Sequence, residues 1–235
     1  MITSKQNEMY KHLIKLKKAK YRYLHQEAVI FGNDLLEEAR KANKIKHYLS
    51  TAPHGNNMLI SKELMATIID YDMKEPIGAI VTIKQDSQPY YGNILLCDTI
   101  QDPRNLGALI RSAHAFGFHK VILSPECVDP FHELALRAAK GSTFHISIEI
   151  QSLTKIIPEL KKEKYHIIAS SHLPQSETQP HAYPCVLILG NEGHGISKEV
   201  LDLADTFLNI ETQGVDSLNV SVAGSILMHQ LVEKV

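Results

Sequence analysis

Short apolar runs alternate with helical stretches through the second half of the chain, and this alternation constrains the fold more than any other feature. The predicted strands are Asn93–Cys97, Lys120–Ser124, Phe144–Ile148, Tyr165–Ser170, Val186–Leu189 and Phe207–Ile210. Strands that alternate with helices form mainly parallel sheets. The sequence therefore predicts an α/β domain over residues 92–235, with its ligands at the carboxyl ends of the strands.

The helices between these strands are marked by caps and stops. One helix is predicted to begin near Asn105, and another runs from an Asp129 cap, with Pro130 at the first helical position, to Lys140. A third spans residues 153–162, and the last is capped by Asn219 and runs toward Val235.

A smaller α/β unit is predicted at the front of the chain, over residues 1–86. Its strands are Glu27–Phe31, Ile45–Leu49 and Ile77–Ile83, and its helices are Asn33–Lys41 and Ser61–Ile69. The polar segment 84–92, which contains Pro89 and Gly92, is predicted to link the two domains.

Composition excludes several classes of protein. The net charge of −1 argues against a generally cationic surface, and three scattered cysteines predict neither a disulfide framework nor a zinc site. No apolar run reaches membrane-spanning length, so a cytoplasmic protein without a membrane partner is predicted. His132-Glu133 begins like a zinc-binding HExxH motif, but Leu136 stands at its last position, and no metal is predicted.

Residues 11–22 are the one strongly basic run in the chain. It carries no acidic residue, and tyrosines are interleaved with its basic residues. Such a run is typical of a solvated helix face, but it also suits contact with RNA phosphates. The candidate RNA-binding residues are Lys15, Lys17, Lys18, Lys20 and Arg22.

Three motifs stand in order in the second half of the chain: residues 98–117 (DTIQDPRNLGALIRSAHAFG), 187–197 (LILGNEGHGIS) and 217–228 (SLNVSVAGSILM). Taken singly, they are compatible with a capped helix, a tight turn and an ordinary strand-loop-helix. Together they resemble the motifs of the SpoU (TrmH-like) family of RNA ribose 2′-O-methyltransferases in the SPOUT superfamily.

The resemblance implies a C-terminal trefoil knot, which is a rare exception to unknotted topology, with S-adenosylmethionine bound in it. It also implies a homodimer and an RNA substrate, with rRNA favoured over tRNA. The front unit resembles, more weakly, the small RNA-binding domain that precedes the catalytic part in many members of the family.

Site residues follow from the same resemblance. Arg111 is implied to activate the ribose hydroxyl, and since a guanidinium stays protonated, its role is to stabilise the developing alkoxide. The small and apolar neighbours of Arg111 predict a sheltered side chain. The polar residues implied to orient Arg111 and the RNA are Asn105, Glu192, Ser217 and Asn219. The residues implied to bind the cofactor are Leu189, Gly190, Asn191, Gly193, Ile210, Leu218 and Asn219.

The sequence departs from the family pattern near the cofactor loop. Glu211-Thr212 stand where the family usually has Pro-Met, and Asp216 stands where Glu is common. Two alternatives remain open at this point. One is an inactive RNA-binding protein of the same fold, and the other is an unrelated nucleotide-binding α/β enzyme.

Overall fold

The computed structural model describes residues 1–53, 55–69, 71, 76–85, 88–171, 184–215 and 217–232. The undescribed residues include part of the predicted linker, residues 172–183, Asp216 and the last residues predicted for the C-terminal helix. No helix of the described residues is long and apolar enough to cross a membrane.

The front of the chain forms one mixed sheet with helices around it. Its elements are α1 (Glu8–Leu16), α2 (Ala19–His25), β1 (Glu27–Phe31), α3 (Asn33–Lys41), β2 (Ile45–Ser50), β3 (Met58–Leu59), α4 (Lys62–Ile68) and β4 (Ile77–Thr82). The strand order is β1-β4-β2-β3, and β4 is antiparallel to both of its neighbours.

The second half forms a six-stranded sheet in the order β10-β8-β9-β5-β6-β7, in which every pair is parallel. Its strands are β5 (Ile94–Cys97), β6 (Lys120–Leu123), β7 (Ser147–Ile150), β8 (His166–Ser170), β9 (Cys185–Leu189) and β10 (Thr206–Leu208). Its helices are α5 (Pro103–Ala115), α6 (Glu133–Ala139), α7 (Leu153–Lys162), α8 (Lys198–Leu201) and α9 (Val220–Leu231). The predicted α/β class and parallel sheet are confirmed.

Helices cover both faces of this sheet, which explains why its central strands are apolar throughout. Residues of α5 and α9 pack on one face, in a core that includes Leu109, Leu187 and Leu227. Residues of α7 pack on the other face around Ile157 and Ile188. The loops that follow β5, β8, β9 and β10 consequently meet at one edge of the sheet, where the carboxyl ends of parallel strands lie.

Two predicted boundaries are wrong around α6. Asp129 does not cap a helix, because its carboxylate accepts hydrogen bonds from the Phe131 amide and from Arg22, and α6 begins four residues later with His132 as its cap. The predicted strand Phe144–Ile148 is replaced by a 3₁₀ turn (Ser142–Phe144) and a later strand, β7.

Contacts between the two halves explain these shifts. Phe131 and Phe144 are apolar, but they pack against residues of β1, α3 and β4, such as Ile30 and Ala79, in place of entering the larger sheet. The guanidinium of Arg22, on α2, pairs with the Asp129 carboxylate at 2.5 Å, and both side chains are over nine-tenths buried. The apolar residues Phe131 and Phe144 are therefore explained by burial between the two halves of the chain.

Candidate active site

The loop after β5 and the start of α5 form the first wall of the site. Asp102 caps α5 by accepting a hydrogen bond from the Arg104 amide at 2.7 Å, and Pro103 occupies the first turn, where its missing N–H costs nothing. This cap fixes the direction in which α5 leaves the sheet. Asn105 is thereby held in the first turn of α5, facing the loop that follows β9.

Glu192 is held by three donors from this wall. The side-chain amide of Asn105 donates to Glu192 Oε1 at 2.9 Å, and the amides of Gln101 and Asp102 lie at 3.4 Å from the carboxylate. Asn219 completes the group, because its Nδ2 donates to Asn105 Oδ1 at 3.0 Å. The structure therefore brings three of the predicted catalytic residues, Asn105, Glu192 and Asn219, into one hydrogen-bonded cluster.

The loop after β9 is a tight turn closed on itself. Asn191 and Gly195 exchange backbone hydrogen bonds at 2.9 and 3.0 Å, and the Asn191 side chain donates to the Thr99 carbonyl at 2.8 Å. A Cβ added at Gly190 would lie 2.2 Å from the backbone of both Gly195 and Ile196. A glycine is therefore required at position 190 because the loop itself folds back over it.

Asn219 has a second role, as the cap of α9. Its Oδ1 accepts hydrogen bonds from the Ser221 amide at 2.9 Å and the Val222 amide at 3.4 Å. The cap stabilises a first turn that is rich in β-branched residues, which are poor helix formers. The same side chain therefore caps the start of α9 and joins the cluster, so its two functions cannot be separated by a simple deletion.

These loops enclose a cleft of about 690 Å³, within the size range of ligand sites. All seven residues predicted to bind the cofactor line it, together with Glu192 and Ser217. Its walls combine apolar side chains, such as those of Ile210 and Leu218, with backbone groups of the turn at Gly190. An elongated nucleoside with an apolar and a polar part fits such a surface, although the role of each residue in binding stays a prediction.

Other residues line the same cleft and were not predicted from the sequence. They are Ser170, Ser171, His194, Gly195, Ile196, Leu201, Asn209, Thr212, Val220 and Ala223. Ser170 ends β8, so the rule that ligands gather at the carboxyl ends of parallel strands could have identified it. Thr212 donates to the Val215 carbonyl at 2.8 Å, so one of the three residues that depart from the family pattern stabilises its own loop.

Arg111 does not join the cluster. It is exposed, it is absent from the lining of the cleft, and within the described ranges no hydrogen bond or ion pair involves its side chain. Within a single chain, the guanidinium is therefore not sheltered as predicted. Six residues of helix place Arg111 about 9 Å along the axis of α5 from Asn105 and about 120° around it, which explains the separation.

The basic run contains both exposed and buried residues in the structure. Lys15, Lys17, Lys18 and Lys20 are exposed, so their RNA contacts remain a prediction. The prediction for Arg22 is wrong, because only 5% of the residue is exposed and its guanidinium is occupied by Asp129 and by the carbonyls of Leu16 and Lys17. Arg22 joins the two halves of the chain.

The three cysteines are free thiols without a nucleophilic role. Burial raises the pKa of Cys97 well above its ordinary value, and it raises the pKa of Cys185 to about 12. Burial likewise raises the pKa of Cys127, whose thiol contacts the Ile100 amide and the Cys97 carbonyl. At neutral pH all three are protonated, and the reactive thiolate form is depleted.

Comparison with known proteins places this site in a family of enzymes. A model of the SpoU rRNA Methylase family matches residues 92–229. The 23S rRNA (guanosine(2553)-2′-O)-methyltransferase RlmP of Bacillus subtilis (strain 168) is 30% identical, and the similarity covers 98% of each chain.

Solved structures agree with this similarity. The AdoMet-bound rRNA methyltransferase from Sinorhizobium meliloti superposes with a TM-score of 0.85 at 26% identity, over 98% of this chain and 96% of that one. The SpoU methyltransferase AviRb from Streptomyces viridochromogenes shares the fold, with a TM-score of 0.83 at 17% identity over 97% of each chain.

Proposed function

The chain belongs to the SpoU rRNA methylase family, and from this premise we propose that it transfers a methyl group from S-adenosylmethionine to a ribose 2′-hydroxyl of RNA. The observation that carries the proposal is the cluster of Asn105, Glu192 and Asn219 at a cleft lined by every predicted cofactor residue.

Some residues of the site bind the cofactor, and others orient the RNA. When bound, S-adenosylmethionine supplies a methyl group on a cationic sulfonium. The turn at Gly190 and the apolar side chains of Ile210 and Leu218 hold it by backbone and apolar contacts. The Glu192 carboxylate, fixed by Asn105, stands at the rim of the cleft, where it accepts a hydrogen bond from the RNA and orients the ribose. Fixing both partners in this way lowers the entropic part of the barrier.

Arg111 stabilises the alkoxide that develops on the ribose as the hydroxyl proton leaves for solvent. We assign it to the site of a second copy of the chain, in a homodimer built from residues of the second half. Support comes from the surface of α9, where Val222 is 48% exposed and Ile226 is 37% exposed. The two side chains are one helical turn apart, and α9 packs against α5, the helix that carries Arg111.

The finer features implied by the family belong to the same proposal. Ribosomal RNA is the favoured substrate, because the relative from B. subtilis is named for a position in 23S rRNA. Residues 1–86 serve as the RNA-binding domain, the C-terminal segment forms the trefoil knot, and the protein acts in the cytoplasm. The four exposed lysines of the basic run support the assignment of residues 1–86 to RNA binding. The three free thiols fit a reducing compartment.

Methylation of purified RNA tests the proposal. The full chain is incubated with radiolabelled S-adenosylmethionine and with either ribosomal or transfer RNA from a strain that lacks the corresponding gene, and the 2′-O-methyl sites are mapped. We expect label in ribosomal RNA at one ribose. Cofactor binding without transfer to any RNA would favour an inactive RNA-binding protein of the same fold, and failure to bind the cofactor would contradict the proposed methyl transfer.

A further inference from the structure

A second cleft lies between the two halves of the chain, next to the site but separate from it. It has a volume of about 740 Å³. It is lined by Phe31, Gly32, Asn33, Asp34, Leu35, Tyr71, Arg104, Leu134, Arg137, Ala138 and Lys140. None of the residues assigned above to the cofactor or to methyl transfer takes part in it. Among the described residues that line the cleft, three side chains are cationic and one is acidic, so positive charge is in excess there.

Close packing of α5 on α6 brings the cations of the two helices to the same cleft. A Cβ at Gly107 would lie 2.2 Å from the Ala135 carbonyl oxygen and 2.7 Å from the Ala138 side chain. The two helices can approach this closely only because Gly107 lacks a side chain. Arg104 lies one turn before Gly107, and Arg137 lies between the two alanines that Gly107 contacts.

The cations are available for a ligand. Arg104 is exposed, and no described residue forms a hydrogen bond or ion pair with its side chain. The guanidinium carbon of Arg137 lies over the Tyr71 ring, 4.0 Å from its centroid, and the residue is exposed. Lys140 is 3.5 Å from Asp34, but these side chains are 56% and 78% exposed, and a pair so exposed is readily displaced.

Two more features favour a phosphate of the substrate RNA as the ligand. The first turn of α3 lines the cleft, its cap Gly32 provides no side-chain hydrogen bond to the amides of that turn, and the exposed Asp34 lies in the same turn. Helix amino termini favour negative charge. Arg104 also directly precedes Asn105 in the sequence, so the cleft begins one residue from the cluster that orients the ribose.

We propose that this interdomain cleft binds backbone phosphates of the substrate RNA, through Arg104, Arg137 and Lys140, and so sets how the strand enters the methyl-transfer site. The proposal rests on the proposed function for the identity of the RNA. It adds a phosphate-binding site that involves both halves of the chain and is distinct from the basic run of residues 11–22.

Charge removal with a matched control tests it. The variant is Arg104→Gln with Arg137→Gln. The control is Lys155→Gln with Lys162→Gln, which removes the same charge from exposed positions of α7 on the opposite face of the sheet. Affinity for a labelled RNA hairpin is measured by fluorescence anisotropy over a series of salt concentrations. We expect the magnitude of the negative slope of log K for association against log salt to decrease by about one for each arginine lost, and to stay unchanged for the control.

Further measurements separate a local effect from misfolding or from a different ligand. Arg104→Lys with Arg137→Lys should keep most of the slope, since the charge remains, and cofactor affinity should be unchanged in every variant. In methylation assays the KM for RNA should rise in the Gln variant while kcat holds. Equal slopes for the Gln variant and wild type would overturn the proposal. Inorganic phosphate should displace the hairpin from wild type more strongly than chloride does at equal ionic strength, because the cleft binds phosphate groups, and this difference should shrink in the Gln variant.

The binding measurement does not depend on methyl transfer. If wild type bound the hairpin but methylated no RNA, the proposed function would fail, and the salt slopes would still decide whether the cleft holds phosphates.

Discussion

The side-chain amide of Asn105 donates to the Glu192 carboxylate at 2.9 Å, although the two residues are 87 positions apart. One lies on the helix after β5 and the other on the turn after β9, and these strands are neighbours in the sheet. The bond therefore ties together the carboxyl ends of two central strands. Because Asn219 donates in turn to Asn105, the start of α9 is tied to the same point.

The first prediction concerns this bond. Asn105→Ala removes the donor closest to Glu192 and leaves two backbone amides at 3.4 Å. A hydrogen bond to a charged group contributes about 1.5–3 kcal/mol, so single-turnover methylation should slow by roughly tenfold or more. Cofactor affinity, measured by calorimetry, should change little, because Asn105 does not line the cofactor cleft.

Gln101→Ala is the matched control for that variant. The Gln101 side chain bonds only the Glu126 carbonyl among the described residues, while its backbone amide, which faces Glu192, would remain. Methylation by Gln101→Ala should stay near the wild-type rate. Equal rates for both variants would show that the hydrogen bond from Asn105 does not matter for the reaction.

Much of this arrangement could be predicted from the sequence, because strand periodicity and helix caps are local signals. The alternation of strands and helices gives the parallel sheet, and that sheet places Gly190 and Asn219 at one edge. What could not be predicted depends on contacts between distant segments. Phe144 has the apolar character of a strand residue but packs against the other half of the chain, and Arg22 has the character of a surface cation but pairs with Asp129.

Arg111 shows a different limit. Its neighbours on α5 are small or apolar, which indicates contact with other protein surface, but within one chain the side chain is exposed. The sequence therefore indicates that Arg111 contacts other protein surface, but it does not indicate whether that surface belongs to the same chain or to a second copy.

The second prediction compares two glycines of one turn. Gly190→Ala places a Cβ 2.2 Å from the backbone of Gly195 and Ile196, so the turn must open and the cofactor cleft must change shape. Gly193→Ala meets only the Asn191 side-chain oxygen, at 3.5 Å, and should be tolerated. Calorimetric titration with S-adenosylmethionine should show a large loss of affinity for Gly190→Ala alone.

Circular dichroism of both glycine variants should match wild type, since the turn is peripheral to the two cores. Wild-type cofactor affinity for Gly190→Ala would contradict the assignment of this turn to the cofactor site.

The third prediction concerns the ion pair between the halves. Arg22→Met leaves the Asp129 carboxylate buried without its cation, and breaking such a pair costs about 3 kcal/mol or more. The midpoint of urea denaturation should fall accordingly. Lys20→Met, on the same helix but exposed, should change the free energy of unfolding by less than about 0.5 kcal/mol. An Arg22→Met variant of normal stability with weakened RNA binding would restore Arg22 as an RNA contact.

The last prediction tests Arg111 through the second copy of the chain. Arg111→Ala removes an exposed side chain, so folding stability should hold, while loss of a transition-state donor should lower turnover by roughly a hundredfold. Gly190→Ala should be inactive for a different reason, because its own cofactor cleft is disrupted. If Arg111 acts across a homodimer, an unfolded and refolded mixture of the two variants should contain heterodimers with one intact site each. Random pairing would then restore about a quarter of wild-type activity. Mixed dimers that form, as shown by differently tagged chains, but stay inactive would place Arg111 in the site of its own chain or remove it from the mechanism.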